Sequence, residues 1–147
     1  MKKNTTHNQE NVNNKFPRVG IGCWVFNPKT GMVLLGLRLS PHGYGTWAAP
    51  GGKLEFNEEP ADCAARELRE ETGIIIPSEK FQFVCVTNDI YPDAHYITLH
   101  YRTDSVKATP KLMEPAKCAE WRWFSLDNLP SPLLLSAQKF LTAHPRI

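Results

Sequence analysis

The chain has 147 residues, of which 41% are hydrophobic and 22% are charged, as expected for a globular protein of one domain. Its formal net charge of +2 at pH 7 is too small to indicate a surface that binds nucleic acid or a membrane through bulk charge. An anionic ligand would have to be attracted locally, by a bound cation or by a few Arg and Lys side chains.

The N-terminal segment differs in composition from the rest. Residues 1–15 are polar and rich in asparagine, and they carry too little apolar surface to offset the entropy of ordering. We predict a disordered tail there and a single domain over residues 16–147. Neither a secretion signal nor a membrane span is apparent, and the 4 cysteines lack zinc-site spacing. These features predict a cytoplasmic protein with no membrane partner.

Short strands dominate the first part of the domain. From residue 19 apolar residues alternate with other types, and the turn at residues 27–31 connects this pattern to a second one, which predicts a hairpin. A loop rich in Gly and Pro follows at residues 40–46. The strands predicted in this part are 19–26, 32–37, 47–49 and 53–56.

A helix over residues 59–72 is the clearest element of the second part. Pro60 suits its first turn and Gly73 can end it. Further strands are predicted at 81–90, 95–103 and 120–124, and a closing helix at 131–143. Because strands and helices do not alternate regularly, the order favours an α+β sandwich over a doubly wound sheet.

Three glutamates share one face of the first helix. At about 100° per residue, Glu67, Glu70 and Glu71 fall within an arc of about 100°, where neighbouring carboxylates repel each other. Arg66 and Arg69 are expected to project from the other side of the helix. Such a cluster is explained if a hard dication binds it, because Mg²⁺ prefers oxygen ligands.

Acids on a helix are more often simply a solvated face. Here the helix follows Pro50, Gly51 and Gly52, where the backbone can approach a ligand closely, and Glu58 adds an acid at its start. This context favours a metal site over a solvated face.

The spacing of these residues matches a known signature. The pattern is Gly, five residues, Glu, seven residues, Arg-Glu, an aliphatic residue, any residue, Glu-Glu, any residue, Gly, an aliphatic residue. In this chain the positions are Gly52, Glu58, Arg66, Glu67, Leu68, Glu70, Glu71, Gly73 and Ile74. The segment therefore resembles the Nudix hydrolase signature without a departure. The resemblance implies the Nudix fold, an α/β/α sandwich around a mixed β-sheet.

The resemblance also implies roles for the residues of the box. Glu67, Glu70, Glu71 and the carbonyl of Gly52 would bind Mg²⁺, for which Mn²⁺ can substitute. Glu58 would support the loop or bind a further ion, and Arg66 would orient a carboxylate. Any of the acids could help deprotonate the attacking water, with Glu70 or Glu71 favoured. All five charged residues are thus expected to be catalytic.

Segments outside the box are similar to the MutT-like subgroup, which hydrolyses nucleoside triphosphates, including oxidised guanine nucleotides, to a monophosphate and diphosphate. The box leaves open other substrates, namely nucleotide sugars, dinucleotides, dihydroneopterin triphosphate and prenyl diphosphates. A non-catalytic regulatory domain is disfavoured because the box acids are retained. An RNA-binding or decapping role is disfavoured by the low net charge. Relatives in the subgroup form homodimers, which implies a homodimer here.

Five residues outside the acid cluster are candidates for substrate binding. Arg38 and Lys53 could bind a phosphate, although each could equally be a solvated charge. Trp47 could stack on a base, although a large aromatic residue in a strand more often packs in the core. Tyr96 could line the pocket. Glu114 could be a further acid near the metal, or an ordinary loop carboxylate.

Overall fold

The computed structural model describes residues 16–147, so the tail predicted at residues 1–15 lies outside the described part. The elements in chain order are β1 (Arg18–Asn27), β2 (Met32–Arg38), β3 (Trp47–Ala48), β4 (Gly51–Lys53), α1 (Pro60–Thr72), β5 (Gln82–Ile90), β6 (His95–Asp104), β7 (Cys118–Ser125) and α2 (Leu135–Ala143). A 3₁₀ turn, Ser78–Lys80, lies between α1 and β5. No helix among the described residues is long and apolar enough to cross a membrane.

The strands form one mixed sheet of 7 strands with β1 and β2 near its centre. β1 runs parallel to β6, which pairs with β5, while β2 pairs antiparallel with β3 and β7. β1 and β2 pair only next to their connecting turn, at Phe26 with Val33 and Asn27 with Met32. The other end of β1 pairs instead with β4. The sheet is therefore divided beyond the hairpin, and the site described below lies along this division.

Alternation along the central strands builds a core on each face of the sheet. Ile21, Cys23 and Val25 of β1 pack with Leu68 of α1 on one face. On the other face, Trp24 packs with the α2 residues Ala137, Phe140 and Leu141, which also contact Val33 and Leu35 of β2. A mixed sheet between two helices confirms the predicted α/β/α sandwich.

Two predicted elements were misplaced. The strand expected at residues 53–56 is β4, Gly51–Lys53, whose glycines pair with Gly22 and Ile21 of β1. A Cβ on Gly51 would lie 2.0 Å from the carbonyl oxygen of Ile21, so this pairing requires the residue that strand propensity penalises. The closing helix begins at Leu135 rather than at residue 131. The preceding residues are held extended against Trp47, whose N–H donates to the Pro132 carbonyl.

Candidate active site

A cleft of about 570 Å³ runs along the division in the sheet. Its floor is unusually free of side chains, because Gly20 and Gly22 of β1 and Gly51 and Gly52 of β4 lie side by side there. Side chains from several elements form the walls. They include Trp24, Arg38, His42, Lys53, Glu67, Glu71, Tyr91, Tyr96, Thr98, His100, Glu114, Lys117, Trp121 and Ser136.

Helix α1 brings the acids to one end of this cleft. Pro60 opens the helix, and Gly73 ends it in the left-handed conformation, with φ 73° and its N–H bonded to the Arg69 carbonyl. Buried Cys63, Ala64 and Leu68 fix one face of the helix on the sheet. Glu67 and Glu71 follow on the adjacent face, one turn apart, and both reach the cleft.

The carboxylates of Glu67 and Glu71 face each other at the glycine bend. The Gly51 N–H donates to Oε1 of Glu71 over 2.9 Å. A Cβ on Gly52 would lie 2.4 Å from Oε1 of Glu67, so this carboxylate packs directly on the backbone. Burial raises the pKa of Glu67, although Arg66 opposes the shift. Burial also raises the pKa of Glu71 well above its usual range, and the charges of Glu67 and Glu114 add to the effect.

Arg66 lies among the acids rather than on the far side of the helix, so that prediction was wrong. Its Nε donates to Glu58 Oε2 over 2.7 Å and its Nη2 to Glu58 Oε1 over 3.0 Å, a bidentate pair. Its Nη1 donates to Glu67 Oε1 over 2.9 Å and to Glu70 Oε2 over 3.2 Å. Arg66 and Glu70 are i,i+4 neighbours on the helix, which makes this contact a short-range one. The pair with Arg66 lowers the pKa of Glu58 to about 2.

Glu70 occupies a different environment from its two neighbours. Its side chain is 48% exposed, against 16% for Glu67, and it pairs with Arg66 but is not among the residues that line the cleft. In residues 16–147, no group of three or more His, Cys, Asp or Glu side chains is arranged to hold a metal ion. The acids that the structure brings together are therefore Glu67 and Glu71, with Glu114 nearby.

The residues predicted to bind substrate divide into two groups. Arg38, Lys53, Tyr96 and Glu114 all line the cleft. The guanidinium of Arg38 also holds the 40–46 loop, because its Nε and Nη2 donate to the His42 carbonyl over 3.0 and 2.8 Å.

Trp47 belongs instead to the core on the α2 face, where its ring packs edge-on against Phe124 with centroids 4.9 Å apart. Arg122 lies over the same ring. Trp47 is not among the cleft-lining residues, so we leave it out of the site proposed below.

Several cleft residues were not singled out by the sequence pattern. Three aromatic rings meet at one end, where His42 lies edge-on to Tyr91 at 4.4 Å and tilted to Tyr96 at 5.4 Å. Thr98 and His100 form the inner wall beside them. The available signal was their position on β6, at every second residue after Tyr96, which places all three side chains on one face of the sheet.

A family model for the NUDIX domain matches residues 16–143. The chain belongs to the Nudix family. An RNA pyrophosphohydrolase from Bartonella bacilliformis is 31% identical over 138 residues, covering 78% of this chain and 81% of the relative. An oxidized purine nucleoside triphosphate hydrolase from Danio rerio is 32% identical over 130 residues, or 76% of either chain. The crystal structure of a MutT NUDIX hydrolase from Burkholderia pseudomallei is similar with a TM-score of 0.79 and 30% identity, and covers 86% of this chain and 97% of that one.

This Nudix protein is an enzyme, a hydrolase that acts on nucleotide derivatives, as its pyrophosphohydrolase relatives indicate. Members of the family generally use a divalent metal ion. The donors at the acidic end suit such an ion, because two carboxylates of raised pKa and a glycine carbonyl supply only oxygen ligands. The cleft thus joins a site able to hold a cation to an end lined by aromatic rings.

Proposed function

We propose that the enzyme hydrolyses the diphosphate linkage of a nucleoside triphosphate, releasing a nucleoside monophosphate and diphosphate, with Mg²⁺ as its cofactor. An oxidised or otherwise modified nucleotide falls within this class. The observation that carries the proposal is the polarity of one continuous cleft. The buried acid pair Glu67 and Glu71 lies at one end, and the rings of His42, Tyr91 and Tyr96 lie at the other.

The acidic end supports the metal-binding part of the proposal. Glu67, Glu71 and the Gly52 carbonyl are the proposed metal ligands. Glu70, about one helical turn from Glu67, is proposed as a further ligand. When bound there, Mg²⁺ (or Mn²⁺) would neutralise the phosphate charge and lower the pKa of a coordinated water. A pair of buried carboxylates with a raised pKa is destabilising without a cation, which favours this placement.

The protein's own side chains have three tasks in this proposal. Arg66 orients Glu58 and Glu67 through the bonds described above, so the loop at residue 58 and the helix keep one geometry. Arg38, Lys53 and Lys117 line the cleft and would bind the phosphates as local positive charges. The proton of the attacking water would pass to one of the acids. Glu70 is the preferred base because its carboxylate is half-exposed, whereas the Glu71 carboxylate is engaged by the Gly51 N–H.

Substrates of other classes give a different product pattern. The Mg²⁺-dependent release of monophosphate and diphosphate products should be compared for a panel of substrates. The panel contains nucleoside triphosphates, nucleotide sugars, dinucleotides, dihydroneopterin triphosphate, prenyl diphosphates and an RNA with a 5′-triphosphate. We expect nucleoside triphosphates to give the highest kcat/KM and to release diphosphate. Faster turnover of the RNA, or of a substrate without a base, would overturn the substrate assignment. The assignment of the protein as a hydrolase would not be affected.

Single amide substitutions test the acids. Glu67→Gln, Glu70→Gln and Glu71→Gln should each lower kcat/KM by about 100-fold or more, because each removes a charge at the reaction centre while keeping the shape. Glu79→Gln, at an exposed residue in the 3₁₀ turn, is the matched control and should retain full activity. Turnover that survives chelation of divalent ions would contradict the proposal.

The proposed assembly state rests on the family resemblance, and the proposed cellular location rests on the sequence features described above. We propose a cytoplasmic homodimer, and light scattering of the purified full chain at several concentrations would detect a dimer.

A further inference from the structure

A buried chain of hydrogen bonds lies behind the inner wall of the cleft. The Trp24 Nε1 donates to His100 Nδ1 over 3.0 Å, and His100 Nε2 lies 2.8 Å from Thr87 Oγ1. Asp89 Oδ2 accepts two hydroxyl bonds, from Thr87 over 2.9 Å and from Thr98 over 2.7 Å. Asp89, His100 and Trp24 are at most 1% exposed. These groups therefore pair mainly with one another, and within residues 16–147 Asp89 Oδ1 alone of this network has no hydrogen-bond partner.

The direction of each bond follows from the groups that can only donate or only accept. An indole N–H only donates, so His100 Nδ1 accepts and carries no proton. Burial lowers the pKa of His100 to about 4, so the neutral ring has its proton on Nε2 and donates it to Thr87. The Thr87 hydroxyl then donates to Asp89. The Lys139 ammonium lies 3.7 Å from Asp89 Oδ1 and forms an ion pair with it.

The same carboxylate fixes the role of Thr98. Its single hydroxyl proton is bound to Asp89, so its oxygen retains lone pairs alone for any other partner. Both ring nitrogens of His100 are likewise engaged.

Thr98 is placed where a ligand can reach it. It lines the cleft floor, and a Cβ built on the neighbouring Gly20 would lie 3.5 Å from Thr98 Oγ1 and 3.5 Å from the Tyr96 ring. Since Gly20 has no side chain, the space beside this oxygen is open to a planar group that contacts Tyr96. The inner wall thus offers a hydrogen-bond acceptor next to an aromatic ring.

We propose that Thr98 is a specificity-determining residue, whose acceptor-only oxygen selects a base that presents an N–H group. Asp89 acts as the positioning residue behind it. A base with a carbonyl at the same place would set two acceptors against each other, and both would lose hydration without gaining a hydrogen bond, which is costly. The inference rests on the proposed function in assuming a nucleotide substrate, and it adds the chemistry of the preferred base, whose N–H donor is an exocyclic amino group.

Matched nucleotides that differ by one amino-to-oxo exchange test this directly. The pairs are ATP and ITP, GTP and XTP, and CTP and UTP, measured by kcat/KM with Mg²⁺, and the corresponding monophosphates measured by calorimetric binding. In the pair that contains the preferred base, we expect the amino-bearing member to be favoured by about tenfold or more.

Variants of Thr98 separate specificity from structure. Thr98→Val keeps the shape but removes the acceptor, and should reduce the discrimination to within about threefold, while Thr98→Ser should retain it. The dependence of kcat/KM on Mg²⁺ concentration should be the same in both variants as in the wild type. Thr109→Val, on an exposed loop, is the control substitution. Asp89→Leu, which removes the acceptor of the Thr98 proton, should weaken or reverse the preference, and an unchanged preference would contradict the positioning role of Asp89.

The two proposals fail differently. Equal use of both members of every pair, or discrimination that persists in Thr98→Val, overturns the role of Thr98 while triphosphate hydrolysis stands. If the monophosphates of a pair bind with different affinities but no triphosphate is turned over, the proposed function is overturned and the acceptor role of Thr98 is supported.

Discussion

Arg66 connects the loop before α1 to the acids of that helix. Its side chain is 18% exposed, and the carboxylate of Glu58, its bidentate partner, is 13% exposed. Water therefore screens this pair only in part, and removing one partner leaves the other charge poorly solvated. Strand β4, which carries Gly52 and Lys53, depends on the pair as well, because Arg66 Nη2 also donates to the Lys53 carbonyl over 3.4 Å.

We expect Arg66→Ala to lower the free energy of unfolding by about 2 kcal/mol at pH 7, because it leaves Glu58 and Glu67 without their donor. Urea unfolding of the metal-free protein measures the change. Arg69→Ala is the control on the same helix, where the side chain is exposed, and should change stability by less than about 0.5 kcal/mol. Equal effects of both substitutions would contradict the role given to Arg66.

His100 should make stability depend on pH in a defined window. Its folded pKa is lowered from 6.5 to about 4 by burial, so between these values the unfolded chain binds the additional proton. Stability from this group is therefore complete above pH 6.5 and is lost as pH falls toward 4, by roughly 2 kcal/mol at pH 5.

The substitution that isolates this effect is His100→Gln, whose amide can accept from Trp24 and donate to Thr87 but does not titrate. Unfolding free energies of both proteins at pH 7.5, 6 and 5 should converge as pH falls, because the wild type alone loses this contribution. Parallel curves over that range would show that His100 titrates as freely in the folded chain as in the unfolded one.

Among the elements, β4 is defined by how closely its backbone approaches β1. A Cβ on Gly51 would contact the backbone oxygen of Ile21 at 2.0 Å, and neither group can move without breaking strand pairing. On Gly52 the clash would be with the Glu67 carboxylate at 2.4 Å, the end of a flexible side chain. Two neighbouring glycines thus serve different purposes, one for the strand and one for the acids.

Alanine substitutions should reveal this difference. Gly51→Ala is expected to destabilise the fold by about 3 kcal/mol or more, whereas Gly52→Ala should cost less than about 1 kcal/mol but displace Glu67 and reduce activity. Gly20→Ala, whose Cβ would meet its nearest neighbours at 3.5 Å, serves as the tolerated control for stability. Thermal unfolding and kcat/KM of the three variants together decide the matter, and an active, stable Gly51→Ala protein would refute the assignment.

The sequence predicted the elements whose pattern is local. Alternation located β1 and β2, and the helix signals of Pro60 and Gly73 bounded α1 within one residue. It misplaced β4 because close strand contact outweighs the low strand propensity of glycine. The closing helix was misplaced because tertiary pairing with Trp47 holds its predicted start extended.

Within the site, sequence spacing alone predicted that Glu67, Glu70 and Glu71 share one face of α1. The predicted orientation of Arg66 was wrong because Arg66 and Glu70 are i,i+4 neighbours, about 40° apart around the helix, so Arg66 lies on the same face as that acid. Alternation along β6 places Thr98 and His100 on one face, but the hydrogen bonds that join them to Asp89 and Trp24 connect β1, β5 and β6. Such contacts cannot be inferred from any single strand.

For the whole molecule, the cleft lies where the sheet divides, so both halves of the sheet and both helices contribute residues to it. Glu67 and Glu71 come from α1, Arg38 from β2, and Ser136 from α2. A ligand bound across these elements should therefore stabilise the entire fold rather than one segment. We expect the largest stabilisation from a cation bound at Glu67 and Glu71, because bringing two carboxylates together in a partly buried place opposes folding at neutral pH.

We accordingly expect Mg²⁺ to raise the unfolding temperature of the protein. At a concentration 100 times its Kd, a ligand that binds only the folded state contributes about 2.7 kcal/mol, which corresponds to roughly 5–10 °C for a chain of this size. Glu71→Gln should abolish most of this shift, because it removes one negative charge from the proposed ligand set. In the presence of a chelator the same variant should be at least as stable as the wild type, since the repulsion between Glu67 and Glu71 is gone. Calorimetry with and without Mg²⁺ measures both effects, with Glu79→Gln as the control. A full Mg²⁺ shift in Glu71→Gln would exclude this pair as the metal site.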